Sequence, residues 1–282
     1  ITLRFALKES RNVPTVRLYD QVGWENVLPF AAKFGFQSQS FPQNDLTVAL
    51  GSQDVQPVEL VTAYSIIANG GYKVEPWFIN QIFSLADGPV YLSNPLTVCE
   101  DCAEVGSDAT ANIQAAPQII DPRIAFILNS MLRSVVVEGS GNRVQRELRR
   151  SDLMGKTGTT NGPQELWFSG FNRDIATTVF VGFDQPKPLG ESEQGATVAV
   201  PIWIDYMREA LIEAPENVME RPDGLVDRLI DKNSGELATP GEDNTVFEFF
   251  RAENAPQLSD SQLPGSDLTE EETVEVRTET IF

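Results

Sequence analysis

The chain has 282 residues, enough for one large domain or two small ones around a well-buried core. Apolar residues make up 41% and charged residues 22%, the balance of a folded body rather than a disordered chain. Lys and Arg number 21 against 41 Asp and Glu, so the net charge is −20, which argues against nucleic acid or an anionic membrane surface as main partner. Histidine is absent. That excludes the Ser-His-Asp triad, the Cys-His dyad and His-ligated zinc, and leaves acid–base work to Lys, Tyr and carboxylates.

In chain order, Leu3 to Lys8 and Thr15 to Val22 read as helical, with a break at Asn12-Val13-Pro14, because Pro14 favours extended geometry at Val13. Pro57 to Ala68 has a helical apolar period, with Pro57 in the first turn and Asn69-Gly70-Gly71 as the stop. Trp77 to Leu85 alternates like a short strand, and Asp87 to Pro117 is loop-rich. Asp121-Pro122 opens a helix to about Val137, ended by Gly139-Ser140-Gly141. No apolar run reaches the ~18 residues of a membrane span; the best, Ile124 to Val137, is interrupted by Asn129, Ser130 and Arg133.

Leu153 to Thr159, Leu166 to Phe171 and Ala176 to Phe183 read as three consecutive strands, the last two joined at hairpin length by Asn172-Arg173-Asp174. Antiparallel pairing follows. Pro201 to Ala214 reads as an amphipathic helix and Leu225 to Ile230 as a further strand. From Glu253 to Phe282 there are eight acids and one base, which reads as an acidic, disordered tail. Cys99 and Cys102 form one C-x-x-C. With no other Cys and no His they lack the partners of a zinc site, and their acidic loop context differs from a redox motif. A local disulfide and a free pair both stay open.

Two segments carry chemistry. Lys156-Thr157-Gly158-Thr159-Thr160 offers a cation, hydroxyl donors and an open backbone at Gly158, a set suited to a carboxylate. Alone, K-T-G is weak: at about 6% usage per residue a given tripeptide arises in roughly 6% of chains this long. Ser10-Arg11-Asn12 can aim a hydroxyl and an amide into one cleft, although Ser and Asn also serve as ordinary helix caps. Together they say more. S-x-x-K, S-D-N and K-T-G form the set used by class A β-lactamases and penicillin-binding proteins, and here S-x-N precedes K-T-G by 144 residues, in the required order.

The flanks extend the match. Thr2-Leu3-Arg4-Phe5-Ala6-Leu7 through Ser10-Arg11-Asn12-Val13-Pro14 resembles the class A, bifunctional penicillin-binding proteins. So do Ala49-Leu50-Gly51-Ser52 with Pro57-Val58-Glu59-Leu60, and Ala63-Tyr64 with Ala68-Asn69-Gly70-Gly71-Tyr72. Gly155 through Asn161, Trp167-Phe168 with Gly170-Phe171, Val181-Gly182-Phe183-Asp184 and Pro201-Ile202-Trp203 complete it. The resemblance covers Ile1 to about Phe250. It implies an α/β (α+β type) fold, a central antiparallel sheet flanked by helices: the penicillin-recognising serine transpeptidase fold, incomplete in this chain. Residues 1–250 are then the C-terminal part of the transpeptidase domain and 251–282 the tail.

The activity it implies is peptidoglycan cross-linking. A serine attacks the D-Ala-D-Ala end of one stem peptide, and the acyl group passes to an amine on a neighbouring stem; β-lactam antibiotics acylate the same serine. By motif matching, Ser10, Asn12 and Lys156 are catalytic, while Thr157, Gly158 and Thr159 bind substrate or β-lactam. Lys156 assists proton transfer near Ser10, and the Thr159 N–H supplies half of an oxyanion hole. No cofactor and no metal are implied, and the partners are stem peptides, β-lactams and the N-terminal remainder of the same protein, not nucleic acid. The implied location is the periplasmic face of a bacterial inner membrane.

One departure stands out. No serine of this chain has Lys three residues later; a near case, Ser130-Met131-Leu132-Arg133, ends in an Arg that cannot act as base. The nucleophile is therefore expected upstream of Ile1, in a longer parent carrying a membrane anchor and a glycosyltransferase domain. The competing readings are a non-catalytic peptidoglycan-binding scaffold and a β-lactamase-like hydrolase of the same fold. The Trp167-Phe168 and Pro201-Ile202-Trp203 flanks speak against the hydrolase. Glu165-Leu166 stands where the family usually has Asp-Ala, and Glu165 is assigned no role.

Overall fold

The computed structural model describes residues 1–99 and 114–257. The chain divides into two compact units, Ile1–Leu225 and a second that begins at Val226. The first unit opens with three helices, α1 (Leu3–Lys8), α2 (Asn12–Val22) and α3 (Trp24–Lys33), followed after two 3-10 turns by α4 (Pro57–Ala68). Next come the hairpin β1 (Gln81–Ser84) and β2 (Gly88–Leu92), and a two-residue parallel pair, β3 (Leu96–Thr97) with β4 (Gln114–Ala115). Helices α5 (Pro122–Glu138) and α6 (Arg143–Leu148) lead into the main sheet, β5 (Met154–Thr159), β6 (Leu166–Phe171) and β7 (Ala176–Val181), and then α7 (Val200–Ala210). Where the second unit begins, β8 (Leu225–Asp231) pairs with β9 (Thr245–Arg251).

The expected helices form where their caps stand. Asp121 accepts the Arg123 N–H at 2.9 Å to start α5, with Pro122 at a position that needs no intrahelical donor. The Glu59 carboxylate accepts the Gln56 N–H at 2.8 Å, closing a capping box at the head of α4. The expected break at Pro14 moves upstream: α2 starts at Asn12 and contains Val13 and Pro14. Pro14 sits in the first helical turn, where its missing N–H costs no bond, so its bias against helix at Val13 is overridden. Gly23 separates α2 from α3, whereas α3 runs through the breaker signal at Pro29; burial of Leu28 on its inner face holds it. Helix α7 stops at Ala210, short of the Ala214 expected, and is preceded by a π-helical turn, Gly195–Ala199.

The sheet order is β5-β6-β7, antiparallel throughout, with Lys156 opposite Ser169, Thr157 opposite Phe168 and Gly158 opposite Trp167. The central antiparallel sheet flanked by helices is thus present. Phe168 sinks into a core with Val136, Val144, Leu153, Trp203, Ile204 and Met207, while Met154 and Phe171 join Ala68 and Leu132 in a second cluster. Phe168 and Trp203 meet edge to face at 5.1 Å, and the Trp203 indole N–H donates to the Thr177 carbonyl. Helices therefore fix the sheet from both faces, and with it the strand that carries Lys156.

Cys99 is disulfide-bonded; Cys102 lies outside the described residues. The acidic tail lies outside them from residue 258 on. No helix of the described residues is long and apolar enough to cross a membrane.

Candidate active site

Ser10 is placed by a helix ending. Its N–H donates to Leu7 O at 3.2 Å and the Arg11 N–H donates to Ala6 O at 2.8 Å, the paired bonds of a Schellman motif at the end of α1. Ser10 occupies the left-handed position of that motif, φ 52°, usually taken by Gly. A side chain there costs of order 1–3 kcal/mol. Asn12, two residues on, is the exposed first residue of α2. The helix-end and site readings of Ser10-x-Asn12 thus describe the same residues: the chain ends one helix and begins another at the point where Ser10 is displayed.

Lys156 comes from the facing strand. Its Nζ donates to Ser10 Oγ at 2.9 Å and to the Thr157 carbonyl at 2.8 Å. The two motifs, 146 positions apart, meet at this contact. Partial burial, with no carboxylate paired to it among the described residues, lowers the Lys156 pKa to about 8, because desolvation disfavours the ammonium.

The hydroxyls of the strand are held by residues the sequence reading did not single out. Thr157 Oγ1 lies 2.9 Å from Ser140 Oγ, just beyond α5. Thr159 Oγ1 accepts the Gly195 N–H at 3.0 Å, from the π-helical turn. That bond occupies a lone pair and leaves the Thr159 proton free to donate elsewhere. Gly195 is required by space: a Cβ there would lie 2.5 Å from both the Gly158 and Trp167 carbonyl oxygens. Local sequence offered one signal for each, a serine between two glycines at a helix end and a glycine before a helix. Thr160 differs from Thr159: its hydroxyl accepts the Gln164 and Glu165 N–H groups at 3.1 and 3.0 Å and shapes the turn to β6. Glu165 takes part there through its backbone.

The structure thus brings Ser10 and Lys156 together and lines the same strand with Thr157, Gly158 and Thr159. Asn12 lies on the Ser10 side with no hydrogen bond holding its amide among those described. No cluster of three or more His, Cys, Asp or Glu stands ready for a metal among the described residues.

A helix-flanked antiparallel sheet whose edge strand presents Lys-Thr-Gly-Thr to an S-x-N turn defines the penicillin-recognising class of serine acyl-transfer folds. The chain matches the family described as penicillin binding protein transpeptidase domain over residues 1–208. It is 40% identical to penicillin-binding protein 1A of Pseudomonas aeruginosa, across 96% of this chain and 37% of that protein. It is 39% identical to penicillin-binding protein 1A of Neisseria lactamica, across 80% and 26%. The crystal structure of penicillin-binding protein 1A from Haemophilus influenzae superposes with a TM-score of 0.82 at 30% identity, over 92% of this chain and 41% of that one. The PonA1 protein of Mycobacterium tuberculosis in complex with penicillin V shares the fold at a TM-score of 0.60 and 18% identity. The chain belongs to the penicillin-binding protein transpeptidase family. It spans about a third of the length of the curated relatives it matches.

Proposed function

We propose that this chain is the C-terminal part of the transpeptidase domain of a bifunctional penicillin-binding protein, acting in peptidoglycan cross-linking. The observation that supports it best is the 2.9 Å bond from Lys156 Nζ to Ser10 Oγ, which joins two motifs that have no local reason to meet. The nucleophile is the serine of an S-x-x-K in the rest of the protein. That serine attacks the carbonyl of the penultimate D-Ala, and the terminal D-Ala leaves with a proton relayed by Ser10. Lys156 donates to Ser10 and adds positive charge. Thr157 and Thr159 donate hydroxyl hydrogens to the substrate carboxylate across Gly158, and Asn12 grips a peptide amide. The Thr159 N–H faces the developing oxyanion, a contact worth about 3 kcal/mol in such sites. An amine of a second stem then takes the acyl group. β-Lactams acylate the same serine and stop at that stage. The rest of the protein carries the membrane anchor and a glycosyltransferase domain, and the domain faces the periplasm.

The test uses the intact protein and a fluorescent penicillin. The expected result is a stoichiometric covalent label that survives denaturation and is released slowly. No label would leave the scaffold reading, and rapid release would favour the hydrolase. Acylation of the wild type should fall as pH rises through about 8, because Lys156 then loses a proton and with it the positive charge it adds beside Ser10. In Lys156→Arg, whose guanidinium stays protonated, that limb should vanish whatever rate remains.

A further inference from the structure

Ser140 occupies a place that the acyl-transfer reading does not use. Its backbone N–H donates to Lys8 O at 3.3 Å, and its Oγ meets Thr157 Oγ1 at 2.9 Å. Lys8 stands two residues before Ser10, and Thr157 one residue after Lys156. With the Lys156–Ser10 bond these contacts close a circuit: Ser10 back to Lys8, across to Ser140, across to Thr157, back to Lys156, and across to Ser10.

The circuit has a firm mount. Helix α1 is tied to α5 by Arg4, whose guanidinium donates to Ser130 O at 2.7 Å and to Ser134 Oγ at 2.9 Å. Lys8 pairs with Glu138 at 3.4 Å. Gly139 lets the end of α5 approach: a Cβ there would lie 2.6 Å from Lys8 O and 2.9 Å from Val135 O. On the strand side β5 is fixed by pairing along its whole length with β6. Between a braced helix pair and a braced sheet, Ser140 is the side chain that bridges the two walls behind the Lys156–Ser10 bond.

We propose that Ser140 is a positioning residue that sets the Lys156–Ser10 geometry by tying the S-x-N turn to the Lys-Thr-Gly strand through Thr157. The inference rests on the acyl-transfer reading above. Removing the hydroxyl leaves the bond to Lys8, which is backbone, and frees Thr157. The chemical step then slows, while initial ligand capture is spared.

The experiment measures acylation of the intact protein by a carboxylated β-lactam and by its methyl ester, with rate constants normalised to labelled sites. In Ser140→Ala the saturating acylation rate should fall on the order of five- to tenfold for both compounds, as loss of one neutral hydrogen bond implies. The half-saturating concentration should stay within about twofold, and Ser140→Thr should restore the rate. Should Ser140→Ala not fold, Ser140→Cys keeps the volume, weakens the bond and is read in the same way. A rate within twofold of wild type, with or without a lower melting temperature, overturns the proposal and leaves Ser140 structural. Slowing of the carboxylated compound alone overturns it too, because Ser140 then serves only the grip of Thr157 on the carboxylate and not the Lys156–Ser10 geometry. If the wild type takes no label, the acyl-transfer reading itself fails, and this inference falls with it.

Discussion

Two antiparallel, aromatic-rich parts of the first unit have opposite fates. In the β5–β7 sheet, Leu166, Phe168 and Phe171 are fully buried. In the β1–β2 hairpin, Phe83 is 64% exposed and Leu92 68%, and Val90 and Tyr91 are also exposed. Composition does not separate them. The sheet has a third strand, an unbroken register and helices on both faces, whereas the hairpin has two strands and a register shift between Ile82 and Phe83. A two-stranded ribbon has too little surface of its own to bury such residues. The Lys156 strand belongs to the braced element, and a side-chain contact near 3 Å, such as that of Lys156 with Ser10, needs such a support.

The comparison sharpens most at Phe168. Its ring lies against Trp203, and Phe168→Ala should cost about 3–5 kcal/mol of stability, read from denaturant unfolding of the intact protein. A loss below about 1 kcal/mol would mean that the sheet is no better anchored than the hairpin.

Thr159 comes next, because it tests whether the braced strand faces the ligand. Thr159→Ala removes the hydroxyl proposed to donate to the ligand carboxylate, and it strips the Gly195 N–H of its acceptor. A charge-assisted bond of about 1.5–3 kcal/mol corresponds to roughly 10- to 150-fold in acylation efficiency. Thr159→Ser keeps the oxygen and should lose less than about threefold. Thr160→Ala touches only the turn to β6 and should leave acylation nearly unchanged. Second-order acylation by a carboxylated β-lactam checks all three, and the strand is misplaced if Thr160→Ala proves the worst.

The smallest effect is expected at Phe83. Phe83→Ala should shift stability by less than about 0.5 kcal/mol in thermal unfolding, as for other exposed positions. A loss above 2 kcal/mol would show that the intact protein buries the hairpin and would remove the contrast.

Much of the fold is legible in local sequence. The helices over Pro57 to Ala68 and from Pro122, and the strand from Leu166 to Phe171, stand where their caps, periods and turns place them. Helix α3 was not legible, since Pro29 is a breaker signal that packing overrides, and β9 went unmarked because its Glu248 interrupts the apolar run. At the site, Ser10, Asn12 and Lys156 through Thr159 were legible as motifs because their side chains are chemically specific and closely spaced.

Ser140 and Gly195 were not, and the reason is physical. The sequence by itself determined the capped helix starts at Pro57 and Pro122 and the chemical repertoire: a lysine, hydroxyls and an amide, with no imidazole. Those properties depend on residues within a few positions of each other. Only the tertiary structure decided that Lys156 reaches Ser10, that burial brings its pKa to about 8, and that Thr157 and Thr159 are held by Ser140 and by the Gly195 N–H. Each of these contacts joins segments 17 to 146 residues apart, and a hydrogen bond depends on the final position of both partners.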